Sequence, residues 1–131
     1  MPNENTVKLI GEAVDRLITV DVSSRGLIQI LYDAAREKLG NAPLTLLAAE
    51  RLRKVAAPEQ PIIIATGLPI RGWFSPALAE SDGPVGAATL ARAVYLAFKS
   101  LPVLICEEEQ VPLLTACVRA AGLIPATFDQ I

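Results

Sequence analysis

Two short apolar runs, PIIIA at 61–65 and PVLIC at 102–106, flank one helix-length stretch, PVGAATLARAVYLAFKSL, from Pro84 to Leu101. Runs this short, rich in β-branched residues and bounded by proline or glycine, read as fully buried strands rather than alternating edge strands. Two such strands joined through a helix predict a parallel pair with a right-handed crossover. A second helix, VPLLTACVRAAG, closed by Gly122, and the run LIPATF at 123–128 extend the order to strand, helix, strand, helix, strand. The predicted fold class is α/β: N-terminal helices followed by a Rossmann-like parallel βαβαβ unit. So few parallel strands make a narrow sheet, since each needs neighbours and cover on both faces. The unit is therefore expected to be incomplete or completed by oligomerisation, with the edge at 123–128 covered by another subunit of a homo-oligomer.

Upstream of the first strand the periodicity is helical. Val7, Ile10, Val14, Leu17 and Ile18 recur at helical spacing over 6–20, with Asn5 or Thr6 available as a cap. Leu27, Leu31, Ala34, Ala35 and Leu39 repeat the pattern over 26–39, and Gly40 stands where a helix C-terminus favours it. A third helix is predicted over 43–55, opening at Asn41 and Pro43. In the helix from Pro84, Leu90, Val94, Leu96 and Ala97 are expected to face a core. The 131 residues thus form a single domain or part-domain, helical over 1–57 and βαβαβ over 61–131.

Composition narrows the function classes. Hydrophobic residues make up 52% and charged residues 20%, which excludes disorder. No apolar stretch approaches the roughly 20 residues of a membrane span, and MPNENTVKLI lacks the basic-then-apolar order of a secretory signal, so a cytoplasmic protein with no membrane partner is expected. The net charge is −2 with the basic residues dispersed, which argues against nucleic acid. Cys106 and Cys117 read as buried reduced thiols. The absence of histidine removes Ser-His-Asp triads, Cys-His pairs and His-rich zinc sites. Chemistry is left to carboxylates, hydroxyls, Lys, Arg and backbone amides.

Those groups concentrate in ATGLPIRGWFSPALAESDGPVG, residues 65–86, a connection longer than the usual 2–6 residues between strand and helix. Ligands of open parallel sheets bind at the carboxyl ends of strands, beside the following helix N-termini. Glu80 and Asp82 fall there, and Glu107, Glu108 and Glu109 follow the second strand, where one of the three is expected to face a site and the others solvent. Two readings of Asp82 stand side by side: it caps the helix, or it and Glu80 hold a cation or amine while the amides of Gly83 to Gly86 hold a carboxylate or phosphate. Trp73 and Phe74 either cover a site or pack against the N-terminal helices. Arg71 is a solvated arginine or a partner for an anionic substrate. No G-x-G-x-x-G follows the strand directly and no Walker lysine is present, which argues against a nucleotide.

The stretch IIIATGLPI…ESDGPVGAATLARAV resembles the D-glutamate cyclase-like family, in which a strand ends in Ala-Thr-Gly and Glu-Thr-Asp-Gly-Pro-Pro-Gly opens an Ala-rich helix. DVSSRGLIQILYDAAREKLG is similar to that family's Arg-Gly segment. Ser81 replaces the motif threonine and Val85 its second proline, and neither change removes a charge. The resemblance implies a lyase that cyclises D-glutamate to 5-oxo-D-proline with loss of water, acting on a small amino acid or carboxylate. On that basis Glu80 and Asp82 are the expected catalytic residues and ligands of a divalent metal, Mg²⁺ or Mn²⁺. Thr66, Gly67, Arg71, Ser81, Gly83 and Gly86 are the expected substrate contacts. Family domains continue with further strands, so the alternative expectation is a noncatalytic truncated or split domain that binds a small anion or a partner chain.

Overall fold

The computed structural model describes residues 3–67, 70, 73–75, 78 and 80–130. The chain divides into two compact units, Met1–Val55 and Ala56–Ile131.

The first unit is three helices: α1 (Glu4–Ile18), α2 (Leu27–Lys38) and α3 (Leu44–Val55). Asn3, rather than Asn5 or Thr6, caps α1, its side chain accepting from Thr6 N–H at 2.8 Å. Packing of α1 does not follow its apolar stripe: Ile10, Leu17 and Ile18 are exposed, while Gly11 and Asp15 are its buried residues. Gly11 explains the approach of α3, because a Cβ there would stand 2.9 Å from Pro43 Cβ. Asp15 then does for α3 what a local cap would do. Its carboxylate accepts from Leu44 N–H at 2.7 Å, from Thr45 N–H at 3.0 Å and from the hydroxyls of Thr45 and Tyr32, satisfying amides that a helix start leaves open. Burial pushes the Asp15 carboxyl up, but these hydrogen bonds outweigh it and hold the group at about 2. Arg36 completes the layer with a bidentate pair to Glu12 and a bond to the Tyr32 hydroxyl.

The second unit runs β1 (Pro61–Ala65), α4 (Asp82–Phe98), β2 (Leu101–Ile105), a short 3₁₀ turn (Glu108–Gln110), α5 (Val111–Ala120) and a 3₁₀ turn at Phe128–Gln130. It is a mixed α/β unit whose two strands pair in parallel, from Pro61 opposite Leu101 to Ala65 opposite Ile105. Further backbone bonds, Leu101 N–H to Gln60 and Thr66 N–H to Ile105, carry the ladder past both ends. Buried Ser100 ties the α4–β2 corner back to Ala57 through its hydroxyl.

The core lies where Ile64 meets Ala87, Ala88 and Ala91 of α4 and Leu114 and Val118 of α5. Of the α4 residues expected to face a core, Val94 is buried, whereas Leu90, Leu96 and Ala97 are exposed. Ala87, Ala88 and Ala91 point inward in place of the leucines, because small side chains let a helix close on a sheet. The expected third strand is also absent: residues 123–127 are irregular and lead into the last 3₁₀ turn. Pro125, with no N–H to donate, sits in the middle of that run. Cys106 and Cys117 are free and half-buried. Burial, then the Glu107 charge, pushes the Cys106 thiol up, which makes it a poor nucleophile.

Candidate functional site

β1 ends at Ala65, and the next two residues turn out of the sheet. Gly67 takes φ +95°, a conformation that strains any residue with a Cβ. A Cβ there would also stand 2.5 Å from Glu107 Oε2 and 3.2 Å from Cys106 Cβ. Cys106 and Glu107 are the two residues after β2, so the carboxyl ends of both strands meet at Gly67. Of the acidic run, Glu107 is thus the member set against the strand ends, and buried Gln110 lies beneath the same glycine.

The chain returns to this edge at α4. Ser81 is the residue before the helix and its side chain makes no capping bond. Asp82 is the first helical residue, not the cap, and its Oδ1 accepts from Gly83 N–H at 3.0 Å. A carboxylate in the first turn also opposes the positive end of the helix dipole. Pro84 is buried in that turn, where the lack of an N–H costs nothing. A Cβ on Gly83 would stand 3.0 Å from Thr66 Oγ1, so the helix start and the strand end are in near contact.

Between them lies an open cleft of about 380 Å³, lined by the polar residues Thr66, Glu80 and Asp82, by Gly83 and Gly86, and by an apolar set that includes Ile64, Ala87 and Leu90. Gly67 and Ser81 adjoin it in the chain. Arg71 lies outside the described residues. Trp73 and Phe74 are packed edge-on against each other, ring centroids 6.2 Å apart, with Trp73 85% exposed. The apolar set escaped the sequence reading because Leu90 was expected to face the core, although its spacing of two turns from Asp82 signals a shared helix face.

A larger groove, about 710 Å³, runs between α4, β2, α5 and residues 122–130. Among the described residues no carboxylate lines it, and Tyr95, Leu104, Val111 and Phe128 give it an apolar wall. Among the described residues no group of three Cys, Asp or Glu side chains gathers to hold a metal. No helix among them is long and apolar enough to cross a membrane.

No curated protein and no solved structure matches the chain. The family model described as D-glutamate cyclase-like, C-terminal, matches residues 14–131. That span contains the whole cleft and the ESDGPVG segment that forms its acidic side, and the chain therefore belongs to the D-glutamate cyclase-like, C-terminal family.

Proposed function

We propose that this protein is a lyase that closes D-glutamate to 5-oxo-D-proline with loss of water, in the cleft beside the first turn of α4. The observation that carries this reading is the convergence of Thr66, Glu80, Asp82 and the glycines of ESDGPVG on one cleft at the end of β1. In this reading β1–α4–β2–α5 is part of a Rossmann-like sheet, and the cleft occupies the position where such sheets bind ligands.

Ring closure joins the substrate nitrogen to the γ-carboxyl carbon. The ammonium gives up two protons, and one γ-oxygen leaves with them as water. A carboxylate that accepts a proton from the ammonium and returns it to the departing oxygen suits Asp82, with Glu80 holding the ammonium. The Thr66 hydroxyl, at the strand end facing Gly83, donates to the substrate carboxyl. The hard carboxylates Glu80 and Asp82 fit Mg²⁺ or Mn²⁺, which accept one or two carboxylates with water and substrate completing the shell. Such an ion would supply charge stabilisation at the departing oxygen. Formation of 5-oxoproline from D-glutamate, assayed with divalent metal in the intact protein and in Asp82→Ala, tests the reading. Equal rates in the two would remove Asp82 from the chemistry, and an inert parent chain would remove the activity.

A second reading rests on the other face of the sheet. Ile63 is 67% exposed and its neighbours Leu101 and Ile105 are about half exposed, whereas parallel sheets normally bury both faces. A noncatalytic part-domain that pairs with a partner chain, a second copy among them, would cover that face. A monomer by light scattering that turns over D-glutamate rejects it.

A further inference from the structure

Three glycines surround the cleft, and the protein's own packing accounts for two. Gly67 has a positive φ and the Glu107 carboxylate against it; Gly83 has Thr66 Oγ1 against it. Gly86 has neither reason. It lies in the second turn of α4, its φ is ordinary, and among the described residues no atom outside the helix's own backbone stands within 4 Å of where a Cβ would be. As the fifth residue of the helix, its N–H falls within the intrahelical hydrogen-bonding pattern rather than among the open amides of the first turn. Glycine weakens a helix interior relative to alanine, and α4 uses alanine at Ala87, Ala88 and Ala91. What Gly86 provides is space inside the cleft, which it lines.

The residues around that space change character along the helix: Asp82 opens α4 with Glu80 just before it and Thr66 against Gly83, and a turn or more on come Ala87, packed with Ile64, and Leu90. Gly86 lies between, about 6 Å along the helix axis from Asp82. A ligand with charged groups at the polar end and a short unbranched methylene chain matches this gradient. We infer that Gly86 is a specificity-determining residue: its missing side chain admits the two methylene carbons of a glutamate-length amino diacid and sets the limit on chain length and branching. This rests on the cyclase reading above.

The test compares Gly86→Ala and Gly86→Val with the parent protein, using D-glutamate as substrate and D-aspartate, one methylene shorter, as competitive inhibitor. The Ala variant should keep or raise the thermal midpoint, because the helix gains and none of the described residues stands in the way of the added methyl. Its KM for D-glutamate should rise about tenfold or more, the worth of a methylene-sized misfit in a pocket, with a larger rise for Val and a smaller change in kcat. Inhibition by D-aspartate should change by less than about threefold, below that misfit. An unchanged KM in Gly86→Ala, or an equal loss of D-glutamate and D-aspartate binding, overturns the inference while leaving the cyclase reading intact. A parent protein inert to D-glutamate overturns the reading itself, and the inference with it.

Discussion

The Glu107 carboxylate occupies the side of Gly67 where any other residue would place its Cβ, with Oε2 2.5 Å from that point. Strand β1 and the segment after β2 are thereby fitted to each other at the edge of the candidate site, and glycine at 67 is required twice over, by φ and by space.

Gly67→Ala is therefore expected to cost about 1–3 kcal/mol of unfolding free energy. Removing the obstructing carboxylate should return part of that loss. A cycle of Gly67→Ala, Glu107→Ala and the double variant, measured by urea unfolding, should show coupling of about 0.5 kcal/mol or more. Strict additivity would mean that the carboxylate swings aside at no cost.

Acid should act on the helical unit through Asp15. Its folded value, about 2, lies below the ordinary 3.8, so the stabilisation is fully present above about pH 4 and is lost as pH falls through about 2. Helix content followed by circular dichroism should decline over that window. Asp15→Ala should remove the pH-dependent component and cost about 3 kcal/mol at neutral pH, since it strips a helix start of its cap and leaves Tyr32 and Thr45 without their acceptor.

Thr66→Val keeps the shape beside Gly83 and removes only the hydroxyl. Under the cyclase reading it should lower kcat/KM for D-glutamate about tenfold while leaving the thermal midpoint within a few degrees. Activity unchanged in this variant would take Thr66 out of the substrate's hydrogen bonds.

Chelation should separate the two roles assigned to Glu80 and Asp82. If a divalent cation takes part, EDTA should abolish 5-oxoproline formation and Mg²⁺ or Mn²⁺ should restore it, as expected for a hard ion on few carboxylates. Full activity in EDTA would confine both residues to proton transfer and amine binding.

Arg92 donates to the Ala121 carbonyl at 2.5 Å and lies against Gly122, which has φ +79°. Gly122→Ala should therefore cost about 1–2 kcal/mol through backbone strain and a displaced guanidinium. Combined with Arg92→Ala, only the backbone part should remain in the unfolding curves.

How far the sequence carried depended on how local each cause was. Residues 61–65 and 102–105 are apolar over their whole length, so no pairing register could expose a polar residue, and both strands were legible. The three N-terminal helices followed from spacing, with ends displaced by a residue or two. Asp15 was not legible. It reads as one charge among several on a polar face, and its partners Leu44 and Thr45 approach only through the contact at Gly11. On α4 the pattern finds Val94 but not the rest of the inward face, because size decides it: Ala87, Ala88 and Ala91 allow the close approach to β1 that leucines would prevent. The third strand failed at Pro125, whose missing N–H is a local signal that the apolar character of its neighbours conceals. ESDGPVG was legible as a cluster of acids and glycines before α4, which lines the candidate cleft, whereas the part played there by Leu90 and Ile64 required knowing which side of α4 meets the sheet.

The parallel register has a kinetic consequence. Every bond between β1 and β2 joins residues separated by the whole span from Pro61 to Leu101, so folding must close that long loop before the ladder returns any energy. Helix α4 forms from neighbours within a turn and can precede it, while the strand ends at Thr66 and Glu107 meet only after closure. The cleft is therefore expected to form no earlier than that closure. In a hydrogen-exchange pulse, amides of α4 should gain protection before that of Thr66.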